Sequence, residues 1–326
     1  MQQRSQIRKV WRRSKVAREP ILGALDLAAM QRPRRRIASS RVFFDYWELT
    51  KPEINLLILI TTAAGFWMGT AAAFANFPWM RFLHTLIGTA LVASGAATLN
   101  QLIELRYDAR MRRTARRPLV LGRIAPSRAF WFGISLSVSG VVHVAILTNA
   151  LASLLAALTL LSYLFLYTPL KRLTPLCTLV GAFSGATPPL IGWTSARGHL
   201  DAAAWVLFSI VFLWQFPHFM SIAWMYREDY GRAGYLVLPA SDLKHRFVAW
   251  QCLLPALGLL VVAILPALRG QSGIVYFAGA LVLAGVFLYY SARFALQRSV
   301  AGARQLLLAS ILYLPTLFAL LVLDKK

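Results

Sequence analysis

The sequence predicts an all-α polytopic membrane bundle of about nine transmembrane helices with a cytoplasmic N-terminus. Three observations predict it: a composition that is 58% hydrophobic and only 14% charged, apolar runs long enough to cross a bilayer, and a one-sided distribution of Lys and Arg. A span takes about 20 mainly apolar residues. Candidates fall near 50–74, 82–104, 126–147, 150–167, 174–194, 202–224, 247–267, 273–292 and 305–323. Connections as short as Thr148 to Ala150 make neighbouring spans antiparallel. With this assignment all but five of the 35 Lys and Arg lie on one side, the exceptions being Arg81, Arg197, Arg269, Lys325 and Lys326. That is the bias of cytoplasmic loops. A net charge of +23 would suggest nucleic acid in a soluble protein, but here long apolar runs separate the basic residues, so orientation is the better use for them.

Two regions follow: residues 1–48 as a basic, disordered extension, and 49–326 as the transmembrane domain. The extension is Arg-rich and acid-poor and lacks the apolar core and small-residue cleavage site of a secretory signal. It reads as an arm attracted to anionic lipid, with a mitochondrial targeting segment as the alternative. Cys177 and Cys252 sit inside apolar segments without CxxC or CxxCH spacing and read as packing residues.

Acidic residues carry the functional signal. Only twelve exist, and Glu104, Asp108, Glu228 and Asp229 fall where the second and sixth spans reach the basic side. Asn100, Glu104 and Asp108 recur at spacings of four and stay within about 80° of helix azimuth, forming one oxygen-bearing stripe. Magnesium takes one or two carboxylates plus phosphate oxygens and water, which such a stripe can offer. The plain alternative is a solvated helix end with Glu104 and Asp108 paired to Arg106, Arg110 or Arg112. Arg110, Arg112, Arg113, Arg116 and Arg117 follow at once, ahead of Pro118. Arginine forks complement phosphate and would stabilise a departing diphosphate, although topology alone explains some of them.

The second acidic end runs from Trp214 through Pro217 and His218 to Tyr226, Arg227, Glu228, Asp229 and Arg232. Glu228 and Asp229 could complete a second magnesium site facing the first, with Arg227 and Arg232 as phosphate donors. Pro217 frees a carbonyl at a depth where irregular backbone must be buried or line a cavity. His218 lies beside it and is either a hydrogen-bonded packing residue or part of a pocket. Lys171 and Arg172, after Tyr167-Thr-Pro-Leu, are topology signals or phosphate contacts, and Lys51 before Pro52 has the same two readings. Gly181, Gly185 and Gly192 with Pro188 and Pro189 mark close helix packing and a break. No Walker A, HExxH, G-x-S-x-G or dinucleotide fingerprint is present. His84, His143 and His199 lie toward the outer side, remote from the acids, and His245 is isolated on the inner side.

The pattern Asn100xxxGlu104xxxAsp108 followed by Arg113-Thr114-x-x-Arg117-Pro118 resembles the UbiA-type intramembrane prenyltransferases. TyrThrProLeuLysArg at 167–172, GAxxGAxPPLIGW at 181–193 and the 214–230 segment narrow the resemblance to the branch that farnesylates haem B. It runs from about Leu49 to the end of the chain and implies nine helices and Mg²⁺-dependent attack of the haem B vinyl group on farnesyl diphosphate. By that resemblance Asn100, Glu104 and Asp108, with Asp229, hold Mg²⁺. Arg113, Arg117, Lys171, Arg172, Arg227 and Lys51 bind diphosphate, and Glu228 with Asp229 forms the second acidic site. His218, Trp214 and Tyr167 become candidates for the haem pocket. It further implies a bacterial plasma membrane, or the mitochondrial inner membrane, and association with a haem A synthase or terminal-oxidase assembly factors. Cys177 stands where the family often has Asn, and Glu53 where a basic residue is common.

Rival readings are a sister enzyme acting on a quinone precursor or chlorophyllide, and a transporter, which would want charge near the bilayer midplane. A non-enzymatic haem-binding subunit would want paired axial histidines inside the spans, where only His218 and His143 are available.

Overall fold

A computed structural model describes residues 39–71, 74–239 and 243–326, without the side chains of 39, 40, 74 and 243–245. Most of the basic extension, and the side chain of His245, lie outside these residues. All nine apolar segments are helical. They are α2 (Pro52–Gly69), α3 (Trp79–Ile103), α4 (Pro126–Leu147), α5 (Ala150–Leu161, continued by an irregular stretch), the broken pair α6 (Cys177–Gly185) and α7 (Pro188–Arg197), α8 (Ala202–Met225), α10 (Leu243–Val262), α11 (Ile274–Gln297) and α12 (Val300–Leu323). Two shorter helices, α1 (Ser39–Leu49) and α9 (Arg227–Ala233), lie at the basic end. Among the described residues seven helical segments are long and apolar enough to cross a membrane by length and composition. The chain is a multi-pass membrane protein; of the nine expected spans, the two outside those seven are α2 and the broken pair α6 and α7.

The helices close into a ring. One half packs α3, α4 and α5, the other α8, α10, α11 and α12, and α2 with α7 joins them. With lipid outside, close backbone approach replaces much of the hydrophobic drive, so small residues mark the crossings. A Cβ on Gly192 would stand 2.0 Å from the Thr62 carbonyl oxygen, one on Gly65 2.2 Å from that of Pro189, and one on Gly95 2.2 Å from Ser137 Oγ. Cys177 and Cys252 are buried and unpaired, as packing residues should be. The last and first spans are tied at the outer end, where Lys325 Nζ donates to the Trp67 carbonyl at 2.6 Å and also to that of Thr70. Lys325→Met is expected to cost about 1–3 kcal/mol by leaving those carbonyls unpartnered. A thermal midpoint in detergent that does not fall would show that the tie adds nothing.

Residues 39–48, expected to be part of a disordered arm, instead form most of α1, which is fixed to the bundle. Arg123 bridges Asp45 at 3.1 Å and Glu48 at 3.6 Å, Leu49 is fully buried, and Gln101 Nε2 donates to its carbonyl at 3.0 Å. Phe43, Phe44 and Trp47 are more than half exposed, as aromatic residues at a membrane interface are.

Candidate active site

The second span, α3, ends where Glu104 caps it, and a further turn, Leu105–Asp108, carries the stripe onward. Asn100, Glu104 and Asp108 are all buried at the basic end, so the solvated-helix-end alternative does not hold. Asn100 Nδ2 donates to Thr168 Oγ1 at 3.0 Å, and Tyr163 OH approaches Asn100 Oδ1 at 3.4 Å. Glu104 accepts from Lys171 Nζ at 2.8 Å. Asp108 Oδ2 takes the Arg117 guanidinium, while its carbonyl accepts from Thr114 Oγ1 at 2.8 Å. That last bond folds the loop back so that Arg117 turns inward, while Arg110, Arg112 and Arg116 remain exposed.

The partners of this stripe come from a distorted span. After α5 the helix widens to an i→i+5 turn over Ser162–Tyr167, just before Pro169. The turn brings Tyr163, Thr168 and Lys171 to the stripe. Lys171 lies 4.4 Å over the Tyr167 ring, which also packs against Tyr163 at 5.4 Å and against Gly181, where a Cβ would stand 2.6 Å from the ring. Arg172 NH1 donates to Tyr107 OH at 2.5 Å. Leu236 N–H donates to the Lys171 carbonyl at 2.7 Å, which draws Tyr235 over the basin against Tyr107 at 5.5 Å. Lys51 enters from α2 with φ 50, a left-handed conformation rare for a side chain of this size, and its ammonium interacts electrostatically with Glu104, Asp108, Arg117 and Lys171. Strain of that kind persists where the surroundings impose it, often at functional sites. Lys51→Gly is therefore expected to leave the thermal midpoint unchanged or higher, while raising the KM for a prenyl diphosphate about tenfold. An unchanged KM would remove Lys51 from the site.

Burial would lower the Lys171 ammonium, but Glu104, with Tyr167 and Tyr163, holds it well above the usual lysine range, so it stays charged. Burial raises the Asp108 carboxyl, and the Glu104 charge adds to this against the pull of Arg117. Asp108 Oδ1 is buried without a hydrogen-bond partner. Among the described residues no group of three or more His, Cys, Asp or Glu is placed to hold a metal. A bare ion is therefore poorly provided for, whereas Mg²⁺ carried by a diphosphate needs only one or two carboxylates. Asp108 Oδ1, buried without a hydrogen-bond partner, fits that requirement, with the Asn100 amide and Glu104 alongside.

Other expected residues lie elsewhere. Asp229 Oδ2 accepts from the Arg113 backbone N–H at 3.1 Å, and Oδ1 takes the Arg232 guanidinium. Oδ2 staples α9 to the arginine loop and Oδ1 is held by Arg232 within α9 itself, so both oxygens are engaged and a second magnesium site facing the first is not what this geometry offers. Arg113 and Arg227 do not face the stripe: Arg113 lies 4.8 Å over the Tyr226 ring, and Arg227 donates to the Trp224 carbonyl at 2.9 Å. With Arg112, Arg232, Asp229 and the exposed Glu228 they line a cleft of about 510 Å³. His218 stacks on Trp214 at 4.6 Å, and both bond Ser310 of α12, through His218 Nδ1 at 2.8 Å and Trp214 Nε1 at 2.9 Å. His143 pairs with His84 at 3.3 Å, so it is not His218's counterpart as a pair of axial ligands. Thr168, Tyr163, Tyr107 and Tyr235 join the site unexpectedly, and for the first two the local signal is the Tyr-x-x-x-Tyr-Thr-Pro spacing of 163–169.

A ring of apolar helices surrounds a buried acid–amide stripe flanked by inward-turned cations, an arrangement suited to a metal-bound polyanion at the basic end of a membrane bundle. Residues 58–315 match the UbiA prenyltransferase family, and the chain belongs to it. Protoheme IX farnesyltransferase of Solibacter usitatus is 49% identical over 287 residues, covering 86% of this chain and 98% of that one. The enzyme of the same name from Koribacter versatilis is 42% identical over 300 residues, covering 90% and 96%. Among solved structures, a digeranylgeranylglyceryl phosphate synthase superposes with a TM-score of 0.70 at 16% identity, covering 86% of this chain and 98% of that one. A UbiA homolog from Archaeoglobus fulgidus bound to GPP and Mg²⁺ gives 0.62 at 15% identity, covering 85% and 99%. At such identities these two structures support the fold alone.

Proposed function

We propose that the chain transfers the farnesyl group of farnesyl diphosphate to a vinyl group of haem B, giving haem O and diphosphate, in a bacterial plasma membrane with the basic end toward the cytoplasm. The observation that carries the donor half is the unpartnered Asp108 Oδ1 beside the inward-turned Arg117 and Lys171. The acceptor half rests on relatives 49% and 42% identical over 98% and 96% of their length. Association with a haem A synthase or oxidase assembly factors belongs to the same proposal, because such partners would consume the product.

Asn100, Glu104 and Asp108 would hold Mg²⁺, which when bound supplies neutralising charge on the diphosphate oxygens. Lys171 and Arg117 beside the stripe, with Arg172 on Tyr107, would stabilise the charge that develops as the C1–oxygen bond of the donor breaks, while Lys51, whose pKa burial lowers to about 7, would add a full charge only when protonated. Lys171 needs no proton rearrangement for this, since Glu104 and the tyrosines keep it charged. The cap formed by Tyr107 and Tyr235 limits water at the allylic cation. The vinyl π electrons then form the new C–C bond, and water adds to the resulting porphyrin-side cation with loss of a proton.

The test is acceptor choice. Purified protein given farnesyl diphosphate and Mg²⁺ is offered haem B, a quinone ring precursor or chlorophyllide in parallel. Prenylated haem should dominate by mass, and prenylation of another acceptor alone would move the chain to a sister activity.

A further inference from the structure

We infer that the arginine cleft beside the basin binds the two propionate carboxylates of the porphyrin acceptor, and so fixes which edge of the macrocycle faces the diphosphate. This rests on the haem acceptor proposed above. The cleft is lined by Arg112, Arg113, Arg227 and Arg232 against Glu228 and Asp229, so it carries two unbalanced positive charges. Asp229 is already spent on Arg232 and on the Arg113 N–H. A porphyrin dicarboxylate brings two negative charges, and guanidinium forks match carboxylates two oxygens at a time.

The guanidinium groups are held ready. Arg113 is stacked 4.8 Å over Tyr226 and 5.9 Å over Tyr230, and Arg227 5.3 Å over Trp224. Stacking fixes the plane of each fork at little entropic cost on binding. Met225 and Val300 give the cleft an apolar wall, which suits a ring system and is of no use to a bare diphosphate. The cleft also lacks the amide that marks the basin, and its exposed carboxylate, Glu228, stands among four guanidinium groups. On a protohaem the propionates and the vinyl groups occupy opposite edges. Carboxylates seated in the cleft therefore leave a vinyl edge free to reach toward the Asn100–Asp108 stripe.

The experiment measures KM for haem B, for its dimethyl ester and for farnesyl diphosphate, in the wild type and in an Arg112→Met/Arg227→Met double variant. The ester should have a KM at least about tenfold above that of haem B with the wild type. The variant should raise the haem B KM by a similar factor, leave the ester unchanged, and leave the farnesyl diphosphate KM unchanged. Equal KM values for haem B and its ester in the wild type overturn the inference without any variant having to fold. A rise confined to farnesyl diphosphate makes the cleft a donor site and overturns it too, as does an unmoved set of constants, which leaves only contacts to lipid headgroups. Failure of the wild type to prenylate haem at all strikes the acceptor assignment instead, and is read separately from product mass.

Discussion

Asp108→Asn and Glu104→Gln are each expected to lower kcat about a thousandfold, and to differ in what they do to stability. An amide at position 108 removes the one buried carboxylate oxygen without a partner in the basin, and loss of a single preorganised charge contact at a transition state typically costs 10²–10³ in rate. Asp108→Asn keeps the shape, and the Thr114 bond that folds the loop goes to the backbone carbonyl, which the substitution leaves in place. Its partner Arg117 retains some solvent access, at 19% side-chain exposure, so the stranded charge can be hydrated. The thermal midpoint should hardly move. Glu104→Gln strands Lys171 in a less accessible setting, at 13% exposure, and removing one member of a buried pair costs roughly 3–5 kcal/mol before that access is discounted. Activity should therefore fall alike in both variants, while only the Glu104 variant melts clearly earlier. Wild-type product formation by both would remove the stripe from the mechanism.

The second large effect is structural. Gly192→Ala puts a methyl 2.0 Å from the Thr62 carbonyl oxygen and 2.7 Å from the Phe66 nitrogen. Both are backbone atoms, so α2 and α7 must separate along the crossing that also includes Gly65. Overpacking that no side chain can relieve costs about 3 kcal/mol or more. Because Lys51 sits at the head of α2, that movement should raise the KM for the prenyl diphosphate as well. Gly285→Ala is the control: nothing lies within 4 Å of its Cβ position, and in a helix interior alanine should stabilise by up to about 1 kcal/mol. Equal melting of the two variants would show that the close crossing is not what holds these helices.

Much of the site was legible because helical spacing is local. Asn100, Glu104 and Asp108 share a face by their spacing alone, and the spans announce themselves by hydropathy. What was not legible depends on contacts between distant segments. Nothing within the run Arg110 to Arg117 says that Arg117 turns inward while Arg113 turns toward Tyr226. Thr114 on the Asp108 carbonyl and Asp229 on the Arg113 N–H decide it, the latter across 116 positions. The left-handed backbone of Lys51 left no mark in its neighbours beyond the proline that follows. The attachment of Trp214 and His218 to Ser310 depends on how the last span packs, so their promise as haem contacts could not be judged from their own segment. The helix at Ser39–Leu49 hid inside a basic stretch because its anchor, Arg123, lies beyond the arginine loop.

The most direct test of the central claim is the mass of the haem recovered after purified protein is incubated with haem B, farnesyl diphosphate and Mg²⁺. A haem carrying one added farnesyl group and one hydroxyl from water, formed in step with diphosphate release and lost in Asp108→Asn, is the predicted result. Unmodified haem alongside released diphosphate, or full product formation by the Asp108 variant, would contradict it.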